Sequence, residues 1–262
     1  MNNHQTQAYE LFGDSWKQEF DCFPASYQAG YQQFCNRLVK CQAEFNRTGH
    51  YDNRTHQQVS EAVYLNKQHM MTEYLPGLLL SHWLWPHQYR QLCFFQDQFV
   101  QQMAHATEFL EVGVGSGAYS WKILQTWPNI QGCAIDISPA SVEFASALNP
   151  ARYQATVQSI EQTPPACTDW LVCVEVLEHV EDPVQFLTQL HRVLRSGGTA
   201  FVSAAINAAS HDHIFLYTTT DQVQAHIEQA GFVVQSSMTT MAGQPRKNRS
   251  IPAIAGFLVI RS

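Results

Sequence analysis

Charge is scarce in this chain of 262 residues. Asp, Glu, Lys and Arg together make up 14%, against about a quarter in an average soluble domain. The 15 Lys and Arg stand against 22 Asp and Glu, a net charge of -7. Binding a polyanion requires clustered cations that displace counterions, and the one short basic stretch is Arg246, Lys247 and Arg249. Nucleic acid is therefore not expected as the main partner. Long apolar runs are missing as well. The most apolar stretch, residues 75–86, is about half a membrane span and is interrupted by Pro76, Gly77 and His82. Residues 1–7 are polar and lack the apolar centre of a secretory signal. The seven cysteines (Cys22, Cys35, Cys41, Cys93, Cys133, Cys167, Cys173) are odd in number and include no C-x-x-C pair. A zinc or disulfide framework has no support, and free thiols in a reducing cytoplasmic compartment are expected.

What the chain does hold is apolar material for a core, 45% hydrophobic and 12% aromatic, arranged in two patterns that meet near residue 105. Before it the periodicity is helical. Tyr31, Phe34, Cys35, Leu38, Val39 and Ala43 recur at three- and four-residue spacing, which predicts one amphipathic face. Further helices are expected over 55–74 and 88–104. Proline and glycine punctuate the connector 75–86, which reads as a bend carrying Trp83 and Trp85. Beyond residue 105, short apolar runs at 109–114, 130–135, 171–176, 199–204 and 254–260 alternate with helical stretches at 118–127, 139–148, 183–194 and 221–230. Continuous apolar runs alternating with helices mark a doubly wound α/β sheet of buried, mostly parallel strands. The organisation expected is a helical cap over residues 1–105 and a Rossmann-like domain over 106–262.

The first run passes directly into a glycine loop and then a helix, as Phe109-Leu110-Glu111-Val112-Gly113-Val114-Gly115-Ser116-Gly117. Glycines allow positive φ and close backbone approach, and the helix start adds unpaired N–H donors. With Ala118 next, the loop also fits the dinucleotide pattern G-x-G-x-x-G/A, so the loop alone does not separate adenosyl ligands. Glu111, just before the first glycine, suits an ammonium group better than a pyrophosphate. Asp136 ends the next apolar run, where a carboxylate can bind both hydroxyls of a ribose. A third acidic set, Glu175, Glu178 and His179, follows the run at 171–176.

FLEVGVGSG at 109–117, GCAIDIS at 132–138, DWLVCVEVLEHVEDP at 169–183 and LHRVLRSGGTAFVS at 190–203 together resemble the class I S-adenosylmethionine (SAM) dependent methyltransferases. The nearest group is the small-molecule type that includes the ubiquinone-biosynthesis O-methyltransferases. The resemblance implies a seven-stranded sheet with a reversed last strand at 253–260 and SAM as cofactor. It places Glu111, Gly113, Gly115 and Gly117 at the methionine end, Asp136 on the ribose and Ile137 against the adenine. Ser159 and Ile160 would edge the adenine where many relatives carry Asp, and Val174 and Glu175 would line the sulfonium side.

The activity this implies is methyl transfer to an oxygen or nitrogen nucleophile of a small molecule. The cap would act as a lid, with Tyr74, Trp83, Trp85 and Tyr89 shaping an apolar acceptor pocket. His213, in the segment Ser210-His211-Asp212-His213, is the preferred base because its ring titrates near neutral pH. His179 is the second candidate, as a base or as a hydrogen-bonding residue of its loop. Glu175, Glu178 and His179, with His211 or His213, have a spacing that gathers a divalent ion in some relatives. The same segment is common in relatives that use no metal, and none is assigned. Three other readings compete. SAM's own amine could attack its γ-carbon, closing an azetidine ring and releasing methylthioadenosine. The chain could be a non-catalytic SAM- or nucleotide-binding module, or an NAD-dependent dehydrogenase. The oligomeric state is not legible.

Overall fold

Helices α1 (Asn3–Phe20) and α2 (Tyr27–Thr48) open the chain in a computed structural model that describes residues 3–52, 54–149, 151–244 and 250–262. The basic stretch Arg246, Lys247 and Arg249 lies outside the described residues. α2 forms as its spacing predicts and buries Tyr31 and Phe34 of the expected face together with Phe45, whereas Val39 and Ala43 of that face are exposed. It ends at Gly49, whose left-handed backbone lets its N–H reach the Phe45 carbonyl. The single helix expected over 55–74 is instead a series of short turns: α3 (His56–Val59), a wide turn at Ser60–Tyr64, α4 (Lys67–His69) and a second wide turn at Met70–Tyr74. The series breaks at Asn66, whose side chain caps the next turn by accepting from the His69 N–H.

Residues 75–84 are not a bend. They form helix α5 (Leu75–Leu84), in which every residue except Leu78 is buried. Proline is tolerated because Pro76 stands in the first turn of α5, directly after the wide turn at Met70–Tyr74, where its fixed φ suits a helix start. Gly77 is required by packing, since a Cβ there would lie 2.3 Å from the Phe34 Cβ of α2. A helix apolar on all sides is one surrounded by protein. α6 (Pro86–Gln98) follows, then a 3-10 turn at Val100–Met103.

Strands β1 (Glu108–Val112), β2 (Gln131–Asp136), β3 (Tyr153–Val157), β4 (Thr168–Cys173), β5 (Leu194–Ile206), β6 (Phe232–Met241) and β7 (Ala253–Arg261) build one sheet among the described residues. Its order is β3-β2-β1-β4-β5-β7-β6. β7 runs antiparallel to both neighbours and the remaining pairs are parallel, as the reversed-strand expectation requires. Helices α7 (Ala118–Thr126), α8 (Pro139–Leu148), α9 (Pro183–Val193) and α10 (Thr220–Gln229) connect them.

The two sheet faces have separate cores. On one, Phe95 of α6 meets Phe201 of β5 at 5.0 Å and Tyr119 of α7 at 4.8 Å, and Phe99 meets Trp170 at 5.5 Å. On the other, Leu187 and Leu190 of α9 pack on Leu171, Val202 and Phe257. Each such side chain contributes roughly 1.5–3 kcal/mol on burial. The cap joins the first core through Trp83, which contacts Trp121 at 5.6 Å and Phe23 at 4.6 Å. Parallel β1, β2, β4 and β5 then send their carboxyl ends to one edge of the sheet, beneath α2 and α5. That edge is where open α/β sheets receive ligands.

Candidate active site

A cavity of about 910 Å³ lies at that edge, floored by the sheet loops and roofed by the cap. Gly113, at φ 73°, begins the loop from β1 into α7. A Cβ on it would lie 2.5 Å from Val176 Cγ2, so only glycine lets β1 and the loop after β4 approach this closely. Glu111, Gly113, Gly115, Asp136, Ile137, Ser159, Ile160, Val174 and Glu175 all line the cavity. Gly117 does not. Its missing Cβ faces α8, where a methyl would lie 2.9 Å from that of Ala145, so its part is close packing.

Asp136 holds the glycine loop open. Its Oδ2 accepts from the Gly115 N–H at 3.0 Å and its Oδ1 from the Ser138 N–H at 2.8 Å. Each oxygen keeps a second lone pair, the capacity two ribose hydroxyls require. Burial raises the carboxyl's pKa, against the stabilising amides. Glu111, 2% exposed, accepts from the N–H of Ser120 at 3.2 Å and from its hydroxyl. Burial pushes Glu111 up to about 8, so a cation arriving beside it would draw it into its charged form. Ile137 is 38% exposed at the mouth, and Ser159 caps the short turn at Ile160–Gln162. This set fits an adenosyl-amino acid: a carboxylate for a ribose, an apolar wall for a flat base and a buried acid for an ammonium group.

The cap meets the sheet edge at Asp212, in the loop after β5 and fully buried. The Tyr74 hydroxyl donates to its Oδ2 at 2.6 Å, the Tyr64 hydroxyl at 3.4 Å, and the Ser210 hydroxyl donates to Oδ1. Burial opposes the Asp212 charge, but the neighbouring imidazoles and the Ser210 hydroxyl outweigh it and hold the carboxyl below its usual range. His179 Nδ1 lies 3.1 Å from the Asp212 carbonyl and 2.9 Å from the Tyr64 hydroxyl. The His213 ring stands at 87° to that of His179, centroids 4.8 Å apart. His213 Nδ1 donates to the Ala208 carbonyl at 2.7 Å, which leaves Nε2 as its acceptor. Burial and His179 push His213 down to about 3. The ring expected to titrate near neutrality is uncharged and weakly basic, because it is enclosed. His211 turns toward the cap, its ring 6.0 Å from that of Tyr74.

Among the aromatics expected at the acceptor pocket, Tyr74 and Trp85 line the cavity. Trp83 and Tyr89 do not: Trp83 has no exposure and donates through Nε1 to Glu19, and Tyr89 packs on Phe12 at 4.6 Å. Trp83 joins α5 to α1 and to α7, and Tyr89 joins α6 to α1. Sequence reasoning missed Tyr64, Asp212 and Tyr119. Asp212 and Tyr64 carry no spacing signal, because their meeting depends on how the cap folds back. Tyr119, two residues past the last glycine, could have been found from its place in the first turn of α7.

Glu178, His179 and His213 each offer one ligand atom, all within 4.8 Å of one another, a spacing a divalent ion could bridge. His211 is not in this group. Glu175 ends the run from β4 at φ 54°, a left-handed conformation rare outside glycine and concentrated at functional positions. The Ser203 hydroxyl donates to its Oε1 at 3.1 Å.

Residues 110–202 match the protein family described as Methyltransferase domain. Over 110 residues the chain is 29% identical to the ubiquinone biosynthesis O-methyltransferase of Pseudomonas aeruginosa (strain UCBPP-PA14), a match covering 40% of this chain and 47% of the relative. A match to the Sodalis glossinidius protein of the same name is 30% identical over 98 residues, covering 36% of this chain and 39% of that one. The chain thus spans less than half the length of the curated relatives it matches. Among solved structures, Haemonchus contortus phosphoethanolamine N-methyltransferase 2 in complex with SAM superposes with TM-score 0.59 at 10% identity, covering 79% of this chain and 60% of that one. The N-methyltransferase NodS of Bradyrhizobium japonicum WM9, with S-adenosylhomocysteine, gives 0.54 at 17% identity, covering 79% and 98%. The [4+2]-cyclase SpnF gives 0.57 at 14% identity, covering 76% and 97%. These likenesses share the fold. Residues 110–202 are thus similar to a methyltransferase domain, and they lie in a seven-stranded sheet with a reversed β7 whose fold these solved structures share.

Proposed function

We propose that the protein transfers the methyl group of SAM to an oxygen or nitrogen nucleophile of a small, largely apolar molecule. The observation that carries this reading is the shared cavity. One half is walled by Gly113, Gly115, Asp136 and Ile137, and the other by Phe34, Leu38, Tyr74 and Trp85. Its volume of about 910 Å³ lies at the upper end of the range for small-molecule sites, room for an acceptor beside the cofactor.

In this reading Glu111 faces the amino-acid end, Gly113 and Gly115 let the backbone close on it, and Asp136 takes the ribose hydroxyls. Ile137, Ser159 and Ile160 surround the adenine, and Val174 and Glu175 border the transfer point. Gly117 contributes through the packing of α7. Bound SAM supplies a methyl carbon activated by its sulfonium. The protein's own task is to align a nucleophile with that carbon, and such positioning supplies several kcal/mol. His213 Nε2 accepts a hydrogen bond from the nucleophile, and His179 fixes the His213 ring. Glu175, whose pKa burial raises despite the Ser203 hydroxyl, is the stronger base. The roof of α2 and α5 excludes bulk water, and a cytoplasmic setting accords with seven free cysteines.

Calorimetry with SAM and NAD(H) tests the cofactor assignment: SAM binding with a silent dinucleotide is expected, and the reverse overturns it. Methyl transfer from labelled SAM to a small-molecule acceptor tests the reaction.

A further inference from the structure

We propose that the acceptor is an amine, recognised by Glu175 and Glu178 at the carboxyl end of β4. The inference rests on the methyl-transfer reading and narrows it.

Among the described residues neither acid has a Lys or Arg partner, and the ring nitrogens of His179 and His213 offered toward Glu178 lie within 4.8 Å of its carboxylate. Glu178 has no exposure, and neither of its carboxyl oxygens has a well-formed hydrogen bond; its own amide and that of Ala205 are the nearest donors. Glu175 has one, from Ser203. Among the described residues no Lys or Arg lines the cavity. A buried carboxyl without a partner is costly, so the pair suits a ligand that brings donors and positive charge. A second observation points the same way. The Tyr119 hydroxyl, on a side chain 2% exposed, is on the cavity wall without a hydrogen-bond partner, and it feels the charges of Glu175 and Glu111.

Donor counting separates the acceptor classes. A phenol offers one O–H and no charge, and a carboxylate offers charge of the wrong sign. A primary ammonium offers three N–H donors and a positive charge, enough for both acids, and Tyr64, Tyr74 and Trp85 line the same cavity, where aromatic faces favour a cation. SAM's own ammonium is met by Glu111 in this reading, so it does not consume the pair. For transfer, the ammonium first gives one proton to Glu175. The freed lone pair forms the N–C bond as the S–CH3 bond breaks, its electron pair staying on sulfur. The methylated product departs as an ammonium, and Glu175 returns its proton to solvent.

The test uses the full chain and a size-matched panel of arylalkylamines, alkylphenols and arylalkanoates. Binding to the S-adenosylhomocysteine complex is read by calorimetry, and products from SAM by mass spectrometry. The expected result is binding and methylation confined to amines. Glu175→Gln and Glu178→Gln should each weaken amine binding at least tenfold, and Glu178→Gln, at a residue outside the proposed cofactor set, should bind S-adenosylhomocysteine within threefold of the original. Phenols bound in place of amines, no binder in the amine series, or unchanged amine affinity in both variants overturns the inference. Amine binding abolished by EDTA and restored by Mg2+ also overturns it, since a metal would then stand between the acids and the ligand. Failure of SAM itself to bind would instead overturn the methyl-transfer reading, so the two failures are distinct.

Discussion

Tyr74 and Asp212 lie 138 positions apart in the chain and are joined by a hydrogen bond of 2.6 Å. The pair ties the last turn before α5 to the loop after β5, and through Asp212 it ties the cap to His179 and His213. Burial and the Asp212 charge keep the Tyr74 phenol protonated, so it remains a donor. A hydrogen bond to a charged group is worth about 1.5–3 kcal/mol. Tyr74→Phe is expected to lower stability by that amount in urea denaturation and to raise acceptor KM. Equal stability of the variant would show that the contact does not hold the cap.

The tryptophans of α5 and its end should separate. Trp83 is enclosed by Phe23 and Trp121, and Trp83→Ala should cost about 3–5 kcal/mol of stability. Trp85 lines the cavity, and Trp85→Ala should change acceptor KM more than stability. A denaturation midpoint for each variant, with acceptor kinetics where the protein is folded, checks the contrast.

Asp136→Ala removes the acceptor for two backbone amides and, in the proposed complex, for the ribose hydroxyls. Loss of even one charge-assisted bond of about 1.5–3 kcal/mol predicts at least a tenfold rise in the SAM dissociation constant. Calorimetry on the folded variant measures it, and undiminished affinity would show the ribose assignment to be wrong.

Glu111 should leave a signature in pH. Its pKa is raised in the folded protein to about 8, so between about 4.5 and 8 the native state holds a proton the unfolded chain has released. Stability then falls as pH rises through this window, by about 2 kcal/mol between pH 6.5 and 8 for one such group. Glu111→Gln should flatten that fall. On the acid side the sign reverses. His82 and His213, pushed down by burial to about 4 and about 3, stay neutral when folded, so stability is lost as pH drops below 6.5 and the unfolded imidazoles charge. SAM binding should release a proton from Glu111 below pH 8. Calorimetry in buffers of different ionisation enthalpy reads this directly.

The products decide which bond of SAM is used. S-Adenosylhomocysteine should form only when an acceptor is present, and turnover should survive exhaustive chelation. Catalytic methylthioadenosine from SAM and protein alone would replace methyl transfer by closure of SAM on its own amine.

The sheet was legible because its code is local. Continuous apolar runs between helices identify buried parallel strands wherever they occur, and a loop such as 113–117 announces a ligand edge by its glycines. The alternating, half-exposed β6 and the edge strand β3 lack that continuous run, and neither is picked out by it. In 75–86 the local signal misled: proline and glycine read as a bend, whereas Pro76 falls in a first turn and Gly77 against Phe34. The second of these facts does not exist until α2 has packed. The carboxylates Glu111, Asp136 and Glu175 stand out in the sequence by their places beside glycines and at strand ends, and all three line the cavity. Their partners Ser120, Ser138 and Ser203 do not stand out. The basicity of His213 was also beyond the sequence, because a ring's pKa depends on burial and neighbouring charge. So was the meeting of Tyr64, Tyr74 and Asp212, three polar residues whose spacing carries no period. Local patterning determined the layers and the edge at which the cavity sits; only the packing of the cap onto that edge decided which side chains enclose the cavity and how they ionise.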